Sequence, residues 1–205
     1  MTLFITRPRP DAERTVVALA DAGIRAESAP LMEVRNTDAA LPPTTDKTVL
    51  AITSANGIRS WVARGGPALP VFAVGEASAE AARDAGFPVE GIGAGDVNAL
   101  FALLQHKAAG RHILHVRGVH SIGQLNRRLK DAGHSASSVE LYEAVAADTL
   151  PLPLITAIHE GGHAVGFFSP RTMRLFLQLV AAADLTSTLS NTDAICLSRA
   201  VAEAA

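Results

Sequence analysis

Two kinds of hydrophobic pattern alternate along the chain. Short continuous apolar runs, such as residues 3–6 (LFIT) and 48–54 (TVLAITS), are typical of buried strands. Between them lie segments in which apolar residues recur at helical spacing, and the first of these opens at Pro10 and Asp11 and closes at Gly23. Repeated strand–helix units of this size predict an α/β fold, in which parallel sheets carry helices on both faces.

Three of these units recur in the same order further along the chain. The matching ranges are 6–33 with 116–143, 50–61 with 165–176, and 71–82 with 194–205. In the first pair, Arg7 aligns with Arg117 and Leu19 aligns with Leu129. Because the matches keep their order, the sequence predicts two copies of one α/β design. The first copy continues through a Gly-rich turn, a short extended piece and a further helix, for which the second copy has no counterpart.

Composition narrows the class of protein. The net charge is −2 over 205 residues, and a charge this small does not indicate a protein that binds nucleic acid or acidic membranes. The single cysteine, Cys196, excludes a disulfide framework and fits a reducing compartment. The first residues do not have the pattern of a signal peptide, and no apolar run reaches the length of a membrane span. We therefore expect a soluble, cytoplasmic protein without nucleic-acid or membrane partners.

Two motifs resemble known sites but lack the context that those sites need. HEGGH (159–163) has the spacing of a helical zinc site, yet Gly161 and Gly162 disfavour a helix interior. We interpret it as a helix end followed by a turn, and we expect no metal. GIGAG (91–95) resembles a dinucleotide loop, but the residues before it form a poor core strand. We interpret it as a plain turn.

Polar side chains cluster where strands give way to helices. The segments concerned are 54–57 (SANG), 74–78 (VGEAS) and 168–172 (FSPRT). Each hydroxyl or amide there could be only a helix N-cap. However, open α/β sheets bind ligands at the carboxyl ends of their strands, and free helix N–H groups attract anions. Arginines fall at the same ends: Arg7, Arg9, Arg117, Arg171 and Arg199. Several such ends facing one cleft would form an anion site without a metal.

Five stretches together resemble the uroporphyrinogen-III synthase family. They are ITRP near the start, ITSANGI (52–58), VGEASAEAA (74–82), HVRG with VELYEAV (115–118 and 139–145), and FFSPRTMRLF (167–176). The resemblance implies two flavodoxin-like parallel-sheet lobes joined by a two-stranded antiparallel linker. The linker strands would be about residues 30–35 and 140–146. The first lobe would combine residues 1–34 and 147–205, and the second lobe would be residues 35–146.

The resemblance also implies a reaction and a set of site residues. The family closes hydroxymethylbilane, a linear tetrapyrrole with eight carboxylates, into a ring while inverting the last pyrrole through a spiro intermediate. It implies no cofactor or metal, and we expect a monomer. By position, Tyr142 matches the family's best candidate for assisting departure of the substrate hydroxyl. The residues expected to bind substrate are Arg7, Ser54, Ala55, Asn56, Gly75, Ser78, Arg117, Gly118, Ser169, Arg171 and Ser198.

This sequence departs from the family pattern near residue 200. The family's last motif is typically Ile-Gly-Pro-x-Thr-Ala, and here Ser198 replaces the Gly and Val201 replaces the Thr. The family usually continues with a strand and a helix, so we expect a short first lobe with apolar surface exposed around Leu197 and Val201. Two alternatives stay open: a non-catalytic relative that binds tetrapyrroles or other polyanions, and an unrelated flavodoxin-like cofactor or sensor module.

Overall fold

The structure, a computed structural model, describes residues 1–120 and 124–205. Its strands β1 to β10 are, in chain order, Leu3–Ile5, Ala26–Ser28, Met32–Asn36, Thr48–Ile52, Val71–Ala73, Val89–Ile92, His112–Gly118, Ala136–Ala146, His163–Phe167 and Thr192–Cys196. Its helices α1 to α8 are Asp11–Asp21, Ala55–Ala63, Glu76–Asp84, Val97–Lys107, Leu125–Asp131, Leu152–Glu160, Pro170–Ala182 and Arg199–Ala202. A 3-10 segment, Thr186–Asn191, precedes β10. The predicted alternation of strands and helices is confirmed.

The chain divides into two compact units. Unit 1 consists of Met1–Val34 and Ala144–Ala205, and unit 2 is Arg35–Glu143. Unit 1 is built on a four-stranded sheet in the order β10-β9-β1-β2, in which every neighbouring pair is parallel. A second sheet has six strands in the order β3-β8-β7-β4-β5-β6, and its pairs from β8 to β6 are parallel. The parallel sheets that the hydrophobic pattern predicts are therefore present.

The main buried hydrophobic cluster of unit 1 lies on one face of its sheet. Phe4, Val165 and Phe167 point to this face, where α6, α7 and α8 cover them. Our expectation for the end of the chain is half right. Leu197 is 69% exposed, but Val201 is only 2% exposed because α8 packs its side chain into this core.

Unit 2 has a buried cluster on each face of its sheet. Leu50 and Ile52 of β4 belong to one cluster, which includes Trp61 of α2. Val49 and Ala51, which alternate with them, belong to the other, which includes residues of α4 and α5. The five residues of β4 are all buried, as expected for a strand with helices on both sides.

The two motifs that resemble known sites, HEGGH and GIGAG, form neither of those sites. Helix α6 ends at Glu160, Gly161 and Gly162 both have φ of +69°, and His163 begins β9, so the two histidines of HEGGH do not share a helix. In the GIGAG stretch, Gly91 belongs to the edge strand β6, so the interpretation as a plain turn is wrong for its first part. In the described part of the chain, no helix is long and apolar enough to cross a membrane.

Candidate functional site

The six-stranded sheet has a point at which its strand connections diverge. Strands β4 and β7 are neighbours, but the chain leaves β4 toward β5 on one side and leaves β7 toward β8 on the other. The carboxyl ends of these two strands therefore flank a crevice, which is where open α/β sheets bind ligands. Ser54 follows β4 and Gly118 ends β7, so the fold of unit 2 brings these two predicted residues to this crevice.

Tyr142 is placed at the crevice by an irregularity in β8. The register between β7 and β8 shifts between Arg117 and Gly118, and Gly118 then pairs with Tyr142. A side chain at Gly118 would put its Cβ 2.7 Å from the Cε2 atom of Tyr142. The position therefore needs glycine because the tyrosine ring occupies the space of a side chain.

The Tyr142 hydroxyl is enclosed by groups of unit 2. The Ser54 side chain and the backbone of Gly118 lie within hydrogen-bonding reach of it. Burial raises the pKa of Tyr142 above its ordinary value, whereas these two groups and the charge of Arg117 act in the opposite direction. Since burial has the largest effect, the phenol keeps its proton at neutral pH and can donate it.

Ser54 also begins helix α2. It is the N-cap residue, and its Oγ accepts a hydrogen bond from the N–H of Asn56 at 3.2 Å. Ala55 is buried at the start of the helix, and the Asn56 side-chain oxygen accepts from Arg59 at 2.9 Å. The N-cap interpretation of Ser54 is therefore correct, and the same residue also contacts Tyr142.

Arg117 is held by neighbouring groups of unit 2. Its Nη2 lies 3.4 Å from a carboxylate oxygen of Glu140, and its guanidinium donates to the carbonyls of Gly118 and Val119. The side chain is mostly buried, and its charge acts on Tyr142. The guanidinium is therefore already oriented, and it shares its charge with Glu140.

The sequence interpretation missed a polar pair beside this crevice, in which His115 is buried and Thr53 is partly exposed. The Nε2 atom of His115 lies 3.1 Å from Oγ1 of Thr53, the residue before Ser54. Burial, and secondarily the charge of Arg117, lowers the pKa of His115 to about 4, so the ring is neutral at pH 7. The available signal was a single polar residue, His115, within the apolar run ILHV (113–116), which marks a buried side chain that needs a partner.

Gly75 and Ser78 lie one strand further along the same edge of the sheet. Gly75 is the N-cap of α3, and a Cβ there would lie 3.2 Å from the Cα of Gly95. The N–H of Gly95 in turn donates to the carbonyl of Val74 at 2.9 Å. Ser78 is buried in the first turn of α3. The GIGAG stretch thus packs its end against the strand end that the sequence assigns to substrate binding.

The remaining predicted residues belong to unit 1. The Arg7 guanidinium lies 5.0 Å from the ring centre of Phe168 and 3.5 Å from the Asp11 carboxylate. Ser169 caps α7 by accepting the N–H of Thr172 at 3.1 Å.

Two further positions of unit 1 differ in how their side chains are engaged. Nη2 of Arg171 donates to the Ala144 carbonyl at 3.1 Å. Ser198 is the N-cap of α8, but its side chain makes no capping hydrogen bond. These residues lie at the carboxyl ends of β9 and β10, as the sequence predicts.

No group of metal-binding side chains is found within residues 1–120 and 124–205. In the HEGGH stretch, His163 Nδ1 accepts the N–H of Thr2 at 3.3 Å, and its Nε2 lies 3.5 Å from a Glu160 oxygen. Both ring nitrogens of His163 are therefore engaged within unit 1.

Comparison with known proteins identifies the family. A family model described as uroporphyrinogen-III synthase HemD matches residues 13–205. A search of curated proteins gave no significant match. One similar solved structure is a mutant uroporphyrinogen III synthase from the extremely thermophilic bacterium Thermus thermophilus, with 18% identity, a TM-score of 0.53, and coverage of 100% of this chain and 87% of that one. Another is uroporphyrinogen-III synthetase from Helicobacter pylori, with 19% identity, a TM-score of 0.64, and coverage of 98% and 86%. At these identities the structures establish a shared fold, whereas the family model spans nearly the whole chain. The chain therefore belongs to the uroporphyrinogen-III synthase family.

Proposed function

We propose that this chain is a working uroporphyrinogen-III synthase, a lyase that cyclises hydroxymethylbilane with inversion of the last pyrrole ring. The observation that carries the proposal is the enclosed hydroxyl of Tyr142 at the point where the strand connections of the six-stranded sheet diverge. Membership of the family supports the substrate and the reaction.

The site suits assisted departure of the substrate hydroxyl. Tyr142 is neutral, so its O–H can donate to the leaving oxygen as the carbon–oxygen bond breaks, which releases water and leaves an azafulvene cation. The phenolate that forms would be stabilised by the Gly118 N–H, the Ser54 hydroxyl and the charge of Arg117. In the resting enzyme these groups oppose the effect of burial on the pKa of Tyr142. Their interaction with the Tyr142 side chain is most favourable once the side chain has lost its proton.

We propose that the substrate carboxylates are held by arginines and by helix N-termini at the strand ends. Arg7 and Arg171 of unit 1 and Arg117 of unit 2 are the candidate cations. The first turns of α2, α3 and α7 offer backbone N–H groups. Binding a floppy linear chain at several fixed points favours the geometry in which its two ends react.

We further propose that units 1 and 2 are two flavodoxin-like lobes. Counting β7 first and β8 second, the parallel strands of unit 2 run in the order 2-1-3-4-5, which is the flavodoxin order. Counting β1 first, the sheet of unit 1 runs 2-1-3-4. On the same counting, the proposed site of unit 2 would lie between its first and third strands.

The proposed linker consists of β3 and β8, near residues 30–35 and 140–146. The Thr37 N–H donates to the Leu141 carbonyl, and the Ala147 N–H donates to the Leu31 carbonyl. Going from Leu31 to Thr37 along the chain, the hydrogen-bonded partner changes from Ala147 to Leu141. The two segments therefore run in opposite directions, which supports antiparallel pairing. This assignment would make residues 1–34 and 147–205 one lobe and residues 35–146 the other.

A second candidate function is binding of tetrapyrroles without turnover. It is favoured by Ser198 and Val201, which replace a glycine and a hydroxyl residue of the family's last motif. Val201 has no hydroxyl, and its side chain is buried in the core of unit 1. We prefer the synthase because Tyr142 and its partners are assembled in unit 2, which these changes do not touch.

The two candidates are separated by the isomer of the product. Hydroxymethylbilane is generated in place, the protein is added, and the oxidised uroporphyrins are separated by chromatography. A synthase yields type III above the protein-free control. A binder yields only type I, the product of uncatalysed closure, together with retention of the tetrapyrrole on the protein.

We expect the active form to be a monomer in the cytoplasm, without nucleic-acid or membrane partners. The single cysteine and the net charge of −2 support this expectation.

A further inference from the structure

The pairing between β4 and β7 ends before the crevice of unit 2 is reached. The last position at which the two strands pair is Ile52 with Val116. Ser54, whose side chain lies within hydrogen-bonding reach of the Tyr142 hydroxyl, is two residues further along the chain than Ile52. The distance between Ser54 and Tyr142 therefore depends on contacts that lie beyond the last paired position.

Thr53, the residue between Ile52 and Ser54, makes one such contact with β7. Its Oγ1 atom lies 3.1 Å from Nε2 of His115, a distance at which a hydrogen bond forms whichever of the two groups donates. His115 is only 5% exposed, so water competes little for this bond. The hydrogen bond therefore ties the end of β4 to β7 one residue past the last paired position.

The start of helix α2 is held against β7 from the other face of the sheet. Ala51 of β4 belongs to the cluster that includes residues of α4 and α5, and Thr53 follows it at the strand spacing of two. Helix α2 contributes to the opposite cluster, and a Cβ added at Gly57 would lie 3.1 Å from the Val116 carbonyl oxygen. Ser54, the N-cap of α2, thus lies between a side-chain hydrogen bond on one face and a close backbone approach on the other.

We propose that His115 is a positioning residue, which through its hydrogen bond to Thr53 holds the Ser54 hydroxyl against Tyr142. The inference rests on the proposed function, because it assigns a role within the same site. In this role His115 touches neither the substrate nor the reacting atoms. Without the hydrogen bond, the end of β4 and the first turn of α2 would be free to shift relative to β7, and Ser54 would move with them.

Loss of this hydrogen bond should lower kcat more than it raises KM. In the proposed mechanism Ser54 stabilises the charge on Tyr142 that forms only as the substrate hydroxyl departs, so its displacement weakens the transition state more than the bound substrate. We expect Thr53→Val, which nearly keeps the shape of the side chain but loses its hydroxyl, to lower kcat roughly tenfold. Thr53→Ser keeps the hydroxyl and should retain most of the wild-type kcat.

Thr48→Val is the matched control. Thr48 lies at the other end of β4, is buried, and has an Oγ1 atom that accepts the Thr45 N–H at 2.9 Å. The same substitution therefore removes a hydrogen-bonded hydroxyl from the same strand without touching the crevice. Its kcat should stay close to the wild-type value, even where the variant unfolds at lower denaturant concentration.

A second readout does not require catalysis. Tyr142 is the only tyrosine of the chain, so labelling the oxygen-bearing ring carbon of tyrosine with carbon-13 gives an NMR signal from this residue alone. The chemical shift of that carbon responds to hydrogen bonding at the phenol oxygen. We expect the signal to move in Thr53→Val and to keep its wild-type position in Thr53→Ser and Thr48→Val.

A double variant, Thr53→Val with His115→Leu, covers the case in which the single variant does not fold. It replaces both partners by apolar side chains, so neither is left as a polar group without its hydrogen bond. We expect the tyrosine signal to move as in Thr53→Val and kcat to fall no further, because both changes remove the same hydrogen bond.

An unmoved tyrosine signal in Thr53→Val and in the double variant would overturn the proposal, and so would an equal displacement in Thr48→Val. A wild-type kcat in the variants that lack the hydrogen bond would also overturn it. If the wild type forms no type III uroporphyrinogen, the proposed function fails, and the tyrosine signal still decides whether His115 positions Ser54.

Discussion

At the residue scale, the site depends on a glycine, on the Tyr142 side chain and on the pair formed by Thr53 and His115. Gly118 leaves the space that the Tyr142 ring fills, and burial keeps the Tyr142 hydroxyl protonated. Thr53 and His115 hold the strand end beside Ser54. The family motifs singled out Tyr142 and Gly118, but the hydrogen bond between His115 and Thr53 could not be predicted. It joins residues far apart in the chain, and strand pairing alone brings them together.

His115 should make stability depend on pH. Its pKa is about 4 in the folded protein and 6.5 when unfolded, so the unfolded chain binds the extra proton between these values. The unfolding free energy should therefore fall as the pH is lowered from about 6.5 to about 4, by on the order of 3 kcal/mol from this group. Denaturant unfolding of wild type and His115→Asn across this range measures it. Equal slopes for the two proteins would contradict the assignment.

Gly118→Ala should displace Tyr142. The new Cβ would lie 2.7 Å from the ring, so the ring has to move, and we expect kcat to fall by roughly tenfold to a hundredfold. Gly166→Ala is the control, because its Cβ would make only ordinary contacts, the nearest at 3.5 Å. Steady-state rates with both variants test this, and equal rates would show that the position of the ring does not matter.

At the element scale, helix starts follow capping rules that can be read from sequence. Ser54, Asp96 and Ser169 each accept a backbone N–H of the first turn. Strand β8 was less predictable: it begins at Ala136, before the expected linker strand near residue 140, because its first half pairs with β7. Its residues there alternate in burial, so the local pattern does not mark where the pairing partner changes.

Asp96→Ala should destabilise unit 2. Its carboxylate accepts the N–H groups of Asn98 and Ala99, and losing a cap of this kind costs about 1 kcal/mol. Ser198→Ala is a matched control, because Ser198 stands at an N-cap without a capping hydrogen bond, and its effect should be within about 0.5 kcal/mol. Chemical denaturation of both variants measures the difference. An equal loss in the two variants would show that the Asp96 hydrogen bonds add nothing.

At the scale of the whole molecule, the repeat of strand–helix units predicted the α/β class and the family motifs predicted the reaction. In the described part of the chain no strand lies on the outer side of β10, and Ile195 and Leu197 at that strand are exposed. The burial of Val201 was not foreseen, because it depends on how a short last helix packs against α7. Local pattern marks which residues are apolar but not which helix covers them.

The most direct test of the account is the initial rate of type III uroporphyrinogen formation by wild type and by Tyr142→Phe. Both are assayed on hydroxymethylbilane generated in place, with isomers separated after oxidation and with circular dichroism to check the fold. We predict that the wild type forms type III and that Tyr142→Phe forms it about a hundredfold more slowly, because the variant cannot protonate the leaving hydroxyl. Type I alone from the wild type, or an unchanged rate in the variant, would contradict the assignment of the reaction to this site.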